Sequence, residues 1–165
     1  MKSSRFNKIA KLSTSIALVF GVAHTANATD EAFQASMKLL APIIITETQA
    51  LSFADTIAGQ TTTVTTAAAD ANAATFSATG EISRAVTGSV VEASITMTTG
   101  AGITTPEQIL VNGFTTGGDL DGSGNATFDV TGNLSDLRIG GVANVESEDV
   151  AGQYTGTATF RIVYN

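Results

Sequence analysis

An all-β fold, an antiparallel sandwich of immunoglobulin-like type, is what this sequence predicts, on three observations. Thr, Val and Ile recur in short runs, the composition of half-buried strands. Gly, Asn and Asp break those runs at the spacing expected of seven or eight short strands. From Gly152 to Asn165 the chain alternates apolar and polar through Tyr154, Ala158, Phe160, Ile162 and Tyr164, so one face of that segment is dry and the other wet.

Residues 1–28 read as a secretory signal peptide. Lys2, Arg5, Lys8 and Lys11 form a basic region, Leu12 to Val22 an apolar one, and Ala26-Asn27-Ala28 a small-x-small cleavage site. The apolar run is shorter than the roughly 20 residues that span a bilayer. Residues 29–42 form an extension in which Phe33, Ala35, Met37, Leu39 and Ala41 lie two apart. As a strand they share one apolar face. Phe33, Met37 and Leu40 also fit an amphipathic helix over Glu31–Leu40, but the alternation favours the strand. Pro42 then marks a hinge before a domain at 43–165.

Within that domain the predicted strands are Ile43–Thr48, Thr62–Thr66, Ala74–Thr79, Ser89–Thr98, Gln108–Phe114, Asn125–Val130, Arg138–Val142 and Gln153–Tyr164. Turns are expected at 99–102, Asn112-Gly113, Gly117–Gly124, Gly132-Asn133 and Gly140-Gly141. The run Ala67–Ala74 has helical propensity but is short enough to be a loop or one turn.

Composition removes whole classes of chemistry. Four of the eight basic residues lie in 1–28, which leaves 29–165 with four cations against 15 acids, a net charge of −11. Such a surface offers no footprint for nucleic acid. The chain has no Cys, and its one histidine, His24, lies in the signal region. Nucleophile–histidine catalysis and a His- or Cys-ligated zinc are therefore excluded from the mature chain, as are disulfides. No acid sits in an apolar, aromatic-lined setting that would fit it for catalysis, so the protein is not expected to be an enzyme and no cofactor is implied. Asp119, Asp121 and Ser123 resemble the start of a calcium loop, but the twelfth position is Val130 and a Gly/Asp-rich hairpin turn accounts for the same residues.

The glycine at 152, the alternation after it and the penultimate Tyr164 resemble the C-terminal signature of pilin subunits secreted by the bacterial chaperone–usher pathway. Leu51–Gly59, Ala74–Gly80, Phe128–Leu134 and Ala151–Gly156 resemble, in their order, an uncharacterised family of small secreted bacterial domains, and are similar to the spore-coat-U-like subunits of archaic pili. The pattern departs at Ala54, where glycine is usual, and in the lack of a disulfide.

The pilin resemblance implies an incomplete sandwich and a fimbrial subunit that polymerises by donor-strand exchange. Its partners would be other copies, a periplasmic chaperone and an outer-membrane usher. It assigns Phe33, Ala35, Met37 and Leu39 to the donor strand, and Gly152, Phe160, Ile162 and Tyr164 to the receiving groove. Localisation would be the periplasm, the cell surface or outside the cell. The alternative expectation is a self-contained binding module for a glycan or surface partner. The lack of Trp makes a stacking-based sugar site less attractive.

Overall fold

The structure, a computed structural model, describes residues 29–165, so the signal-peptide reading of residues 1–28 lies outside it. The chain divides into two units, at Met37 and Lys38. In the described part of the first, residues 29–37 have no regular secondary structure. Neither the strand nor the helix expected before Pro42 forms. A lone strand has no ladder to join, and a ten-residue helix is marginal without packing.

The second unit holds nine strands: β1 (Ile44–Gln49), β2 (Thr62–Thr66), β3 (Ala74–Thr79), β4 (Ala85–Val90), β5 (Ser94–Thr98), β6 (Gln108–Gly118), β7 (Asn125–Thr127), β8 (Asn133–Val145) and β9 (Phe160–Tyr164). A 3-10 turn, Thr105–Glu107, precedes β6. The larger sheet runs β1-β3-β8-β6-β5, with β2 joining β3 on the same side of β8. The smaller sheet runs β7-β4-β9. Every pairing is antiparallel. Ala74, Ala78, Leu134, Leu137 and Ile139 of the larger sheet meet Val86, Leu120, Phe128 and Ile162 in one core, so the unit is an all-β sandwich.

A second core of Ile109, Val111, Ala143 and Val145 sits at the far end of the larger sheet, with Phe53, Val64, Ile95, Met97 and Tyr154 packed around it. Phe114 belongs to both cores, because of a bulge. Asn112-Gly113, expected as a turn, lies inside the eleven-residue β6. A tight hairpin of that type needs two residues at positive φ. Here Gly113 has φ 60° and Asn112 is not left-handed. One left-handed glycine makes a bulge instead, and the register to β8 shifts between Asn112 and Thr115. Ile109 and Val111 face inward before the bulge and Phe114 after it, so the inward face passes from odd to even residues.

Gly140-Gly141 is likewise no turn but the middle of the thirteen-residue β8. There the partner along one edge changes from β3 to β2. The chain leaving β2 passes over Gly140 so closely that an added Cβ would strike the carbonyl oxygen of Thr66 and come within 2.5 Å of the Ala68 nitrogen. Backbone atoms cannot step aside as a side chain can.

The expected strand Ser89–Thr98 is broken at 91–93 into β4 and β5, one in each sheet. The expected strand Gln153–Tyr164 breaks opposite it, leaving β9 and a single bridge between Thr155 and Thr98. Adjacent apolar residues Val90-Val91 interrupt the alternation where the chain changes sheets. The Val91 N–H donates to the Thr159 carbonyl (2.9 Å), and the Thr159 N–H donates to the Glu92 carboxylate (2.8 Å).

The two turns that flank β7 share one pattern, Asp121-Gly-Ser-Gly-Asn125 and Asp129-Val-Thr-Gly-Asn133. In each, Oδ1 of the leading Asp accepts the N–H two and four residues on, at 2.8–2.9 Å. Gly124 and Gly132 take φ 82° and 80°, conformations that favour glycine. Their carbonyls accept the N–H of Gly88 and Gly80.

Two expectations follow. Gly140→Ala should cost about 1–3 kcal/mol through overpacking, lowering the thermal midpoint by roughly 3–15 °C. Gly122→Ala meets nothing within 4 Å, and should change it by under ~0.5 kcal/mol. The second concerns pH. Backbone N–H groups of Asn125, Asn133, Thr159 and Thr104 hold the carboxyls of Asp121, Asp129, Glu92 and Glu107 below their ordinary values. Lowered folded-state values mean these groups stabilise the fold above the ordinary carboxylate range. That contribution disappears as pH falls through the lowered values. Circular-dichroism melts should give a steady midpoint from about pH 5 to 8, falling below about pH 4.

Candidate functional site

The sandwich is open along one side. β1 ends the order of the larger sheet and β9 ends that of the smaller, and among the described residues neither outer edge has a strand partner. The two strands approach across this opening. The Phe76 and Phe160 rings lie 4.8 Å apart, and Phe76 pairs with Glu47 of β1. At the other end the Tyr164 hydroxyl donates to the Ala41 carbonyl, 2.8 Å away. β1 and β9 therefore run in opposite directions along the groove.

Between them lies a cavity of about 250 Å³, bordered by Leu51, Phe76, Phe114, Ile139 and Phe160. It continues past Leu51 and Gly156, which line both spaces, into a cleft of about 670 Å³ over the second core. Leu51, Phe53, Met97, Ile109 and Tyr154 supply its apolar surface. One wall is the irregular chain after β1, the other the irregular chain before β9. Apart from the Thr155–Thr98 bridge, both walls carry backbone outside any ladder, where an extended peptide can add main-chain hydrogen bonds.

The residues singled out in the sequence fall into three places. Phe160, Ile162 and Tyr164 share the inner face of β9, with Ile162 buried and its neighbours half-buried. The Tyr164 ring stacks obliquely on Phe128, 6.1 Å between centroids. Gly152 is not with them. It lies in a bend beside Thr99, whose Oγ1 would be 2.5 Å from an added Cβ, and lines the cleft. Phe33, Met37 and Leu39 are 89%, 84% and 80% exposed, and Ala35 is exposed too.

Asp119, Asp121 and Ser123 do not converge as cation ligands. The Asp119 carboxylate accepts the N–H groups of Ser135 and Asp136, whereas that of Asp121 closes its own turn on Ser123 and Asn125. Among the described residues no cluster of three or more His, Cys, Asp or Glu is placed to hold a metal.

A knot of polar contacts at one end of the groove was not evident in the sequence. The Glu81 carboxylate accepts the Ala41 N–H (3.1 Å) and pairs with the Lys38 ammonium (2.6 Å). The Glu81 N–H donates to the Tyr164 hydroxyl oxygen (2.6 Å). Lys38 first and the Ala41 N–H second hold the Glu81 carboxyl below its ordinary value. Leu51, Phe76 and Phe114 also line the groove. Their apolar character was legible, but not that three distant segments meet.

Among the described residues no helix is long and apolar enough to cross a membrane. No curated protein matches the chain, and no solved structure matches it. Residues 43–164, from the residue before β1 to the last residue of β9, match the model of a domain of unknown function, DUF4402. The chain belongs to that family of domains of unknown function.

Proposed function

We propose that the protein is an exported structural subunit that polymerises by strand addition. Residues 29–40 of one copy enter the groove between β1 and β9 of the next. The observation that carries this reading is the open side of the sandwich, two unpartnered edges over an apolar trough. Exposed edges of this kind invite another strand. A second observation supplies the occupant: Phe33, Ala35, Met37 and Leu39 alternate in the sequence and are exposed. Burying the three large side chains at about 1.5–3 kcal/mol each favours association before ordering costs. Head-to-tail addition does not close on itself, so the product is a filament.

On this reading the role is architectural, not catalytic. A periplasmic chaperone and an outer-membrane usher would handle the subunit before assembly, as the resemblance to chaperone–usher pilins implies. Export would follow from residues 1–28. The competing reading, a self-contained binding module, draws on the 670 Å³ cleft.

Charge placed on the donor face separates the two. Phe33→Asp with Met37→Asp alters exposed side chains, so the domain should still fold, but melt below the polymerised wild type because its groove is empty. Light scattering on residues 29–165 should show polymers for wild type and monomers for the variant. A synthetic peptide of residues 29–40 should bind the variant and raise its midpoint by several degrees. Identical mass distributions, with no effect of the peptide, would sink the strand-addition reading.

A further inference from the structure

The knot at the end of the groove joins the first residues of the second unit to its last strand. Both backbone polar groups of Ala41 are engaged, the N–H by Glu81 and the carbonyl by Tyr164. Lys38 is tied to the same Glu81. Pro42 has no N–H to offer. Glu81 is itself fixed, since its own N–H is bound to the Tyr164 hydroxyl. The root of the extension, Lys38 to Pro42, is thus pinned by one side chain from the segment after β3 and one from β9.

We propose that Glu81 and Tyr164 form a clamp that keeps a subunit's extension out of its own groove and leaves it free for another copy. This rests on the strand-addition reading and adds the reason for its direction. Residues 29–40 compete for two grooves, their own and a neighbour's, and their own is at far higher effective concentration. Self-insertion would require the chain to reverse just before β1, within Leu40–Pro42. A tight reversal is closed by the carbonyl of its first residue and the N–H of its fourth. One that starts or ends at Ala41 finds that group already taken, one that ends at Pro42 has no donor, and one across Leu40–Ile43 puts Pro42 at the third position, where proline is disfavoured. With Lys38 held as well, the chain is free to reverse only ahead of Lys38. Leu39 would then stay outside, and the order Phe33, Ala35, Met37, Leu39 could not enter as one face. A neighbour's extension needs no such reversal, because its root is clamped to a different molecule and runs outward from it.

Glu81 and Tyr164 are positioning residues, so the test reads the root and the assembly separately. Tyr164→Phe removes one oxygen and keeps the ring on Phe128, and Glu81→Ala removes the acceptor for Ala41 and Lys38. In the non-polymerising Phe33→Asp, Met37→Asp background, amide exchange at Ala41 should be protected. Adding Glu81→Ala should speed it by about tenfold, the loss of one charge-assisted bond. In the otherwise wild-type chain, each clamp variant should shift mass from polymer to monomer. Those monomers should melt higher than the non-polymerising variant and refuse the 29–40 peptide, because their own extension fills the groove.

Clamp variants that polymerise as wild type does, although Ala41 exchanges faster, overturn the clamp and leave strand addition standing. An unprotected Ala41 amide in the non-polymerising background also overturns it. Wild-type protein that stays monomeric while the non-polymerising variant ignores the peptide overturns strand addition, and the selection role with it.

Discussion

One strand carries the larger sheet. β2, β3 and β6 all hydrogen-bond to β8, and β1 and β5 attach through β3 and β6. Thirteen residues are enough to hold two partners end to end along one edge, but only if the chain between them can cross close to the strand. Gly140 provides that crossing. The length of β8 also creates the imbalance that governs everything else. The smaller sheet of three strands faces only part of the larger sheet, so the second core relies on irregular chain for cover.

That imbalance places the groove. Where β4 passes into β5 the chain changes sheets, and its partner, residues 153–164, has to follow the same corner. The partner keeps one edge bonded on both sides of the corner while its other edge faces the opening. β1 stands across from it, bonded to β3 on its far side only. The apolar trough between them is therefore a product of topology as well as composition. Its floor comes from Phe76, Phe114 and Ile139, on three different strands.

The sequence made the all-β class legible, and it placed β2 and β3 to the residue: β2 is a Thr/Val run that stops at the alanines from Ala67, and β3 a run that stops at Gly80. It failed where a local signal had a non-local cause. Asn112-Gly113 carries a turn signature, yet the long pairing with β8 absorbs it as a bulge. Gly140-Gly141 reads as a break, but the close passage that needs glycine comes from a segment some 70 residues earlier in the chain. Ser89–Thr98 and Gln153–Tyr164 each looked like one strand because β-propensity does not register a change of sheet. The inner face of β9 was readable from period-two spacing. Glu81 was not, because its significance lies in which three segments meet around it.

The paired turns at Asp121 and Asp129 bear on how much the chain can vary in length. Their leading aspartates are eight residues apart, and so are Gly88 and Gly80, the two positions on which they are seated. Across that span the register is constant, with Ala85, Val86 and Thr87 opposite Thr127, Ala126 and Asn125. The two strands act as a ruler fastened at both ends. An added or lost residue between Asn125 and Thr131 leaves one fastening out of step, and the buried Phe128 moves to the wrong side. The exposed chain around Gly59 has no such fastening, and a Cβ added at that glycine would meet nothing within 4 Å beyond its chain neighbours. Changes in length among relatives, and sites for an inserted epitope, belong there and not in the ruler.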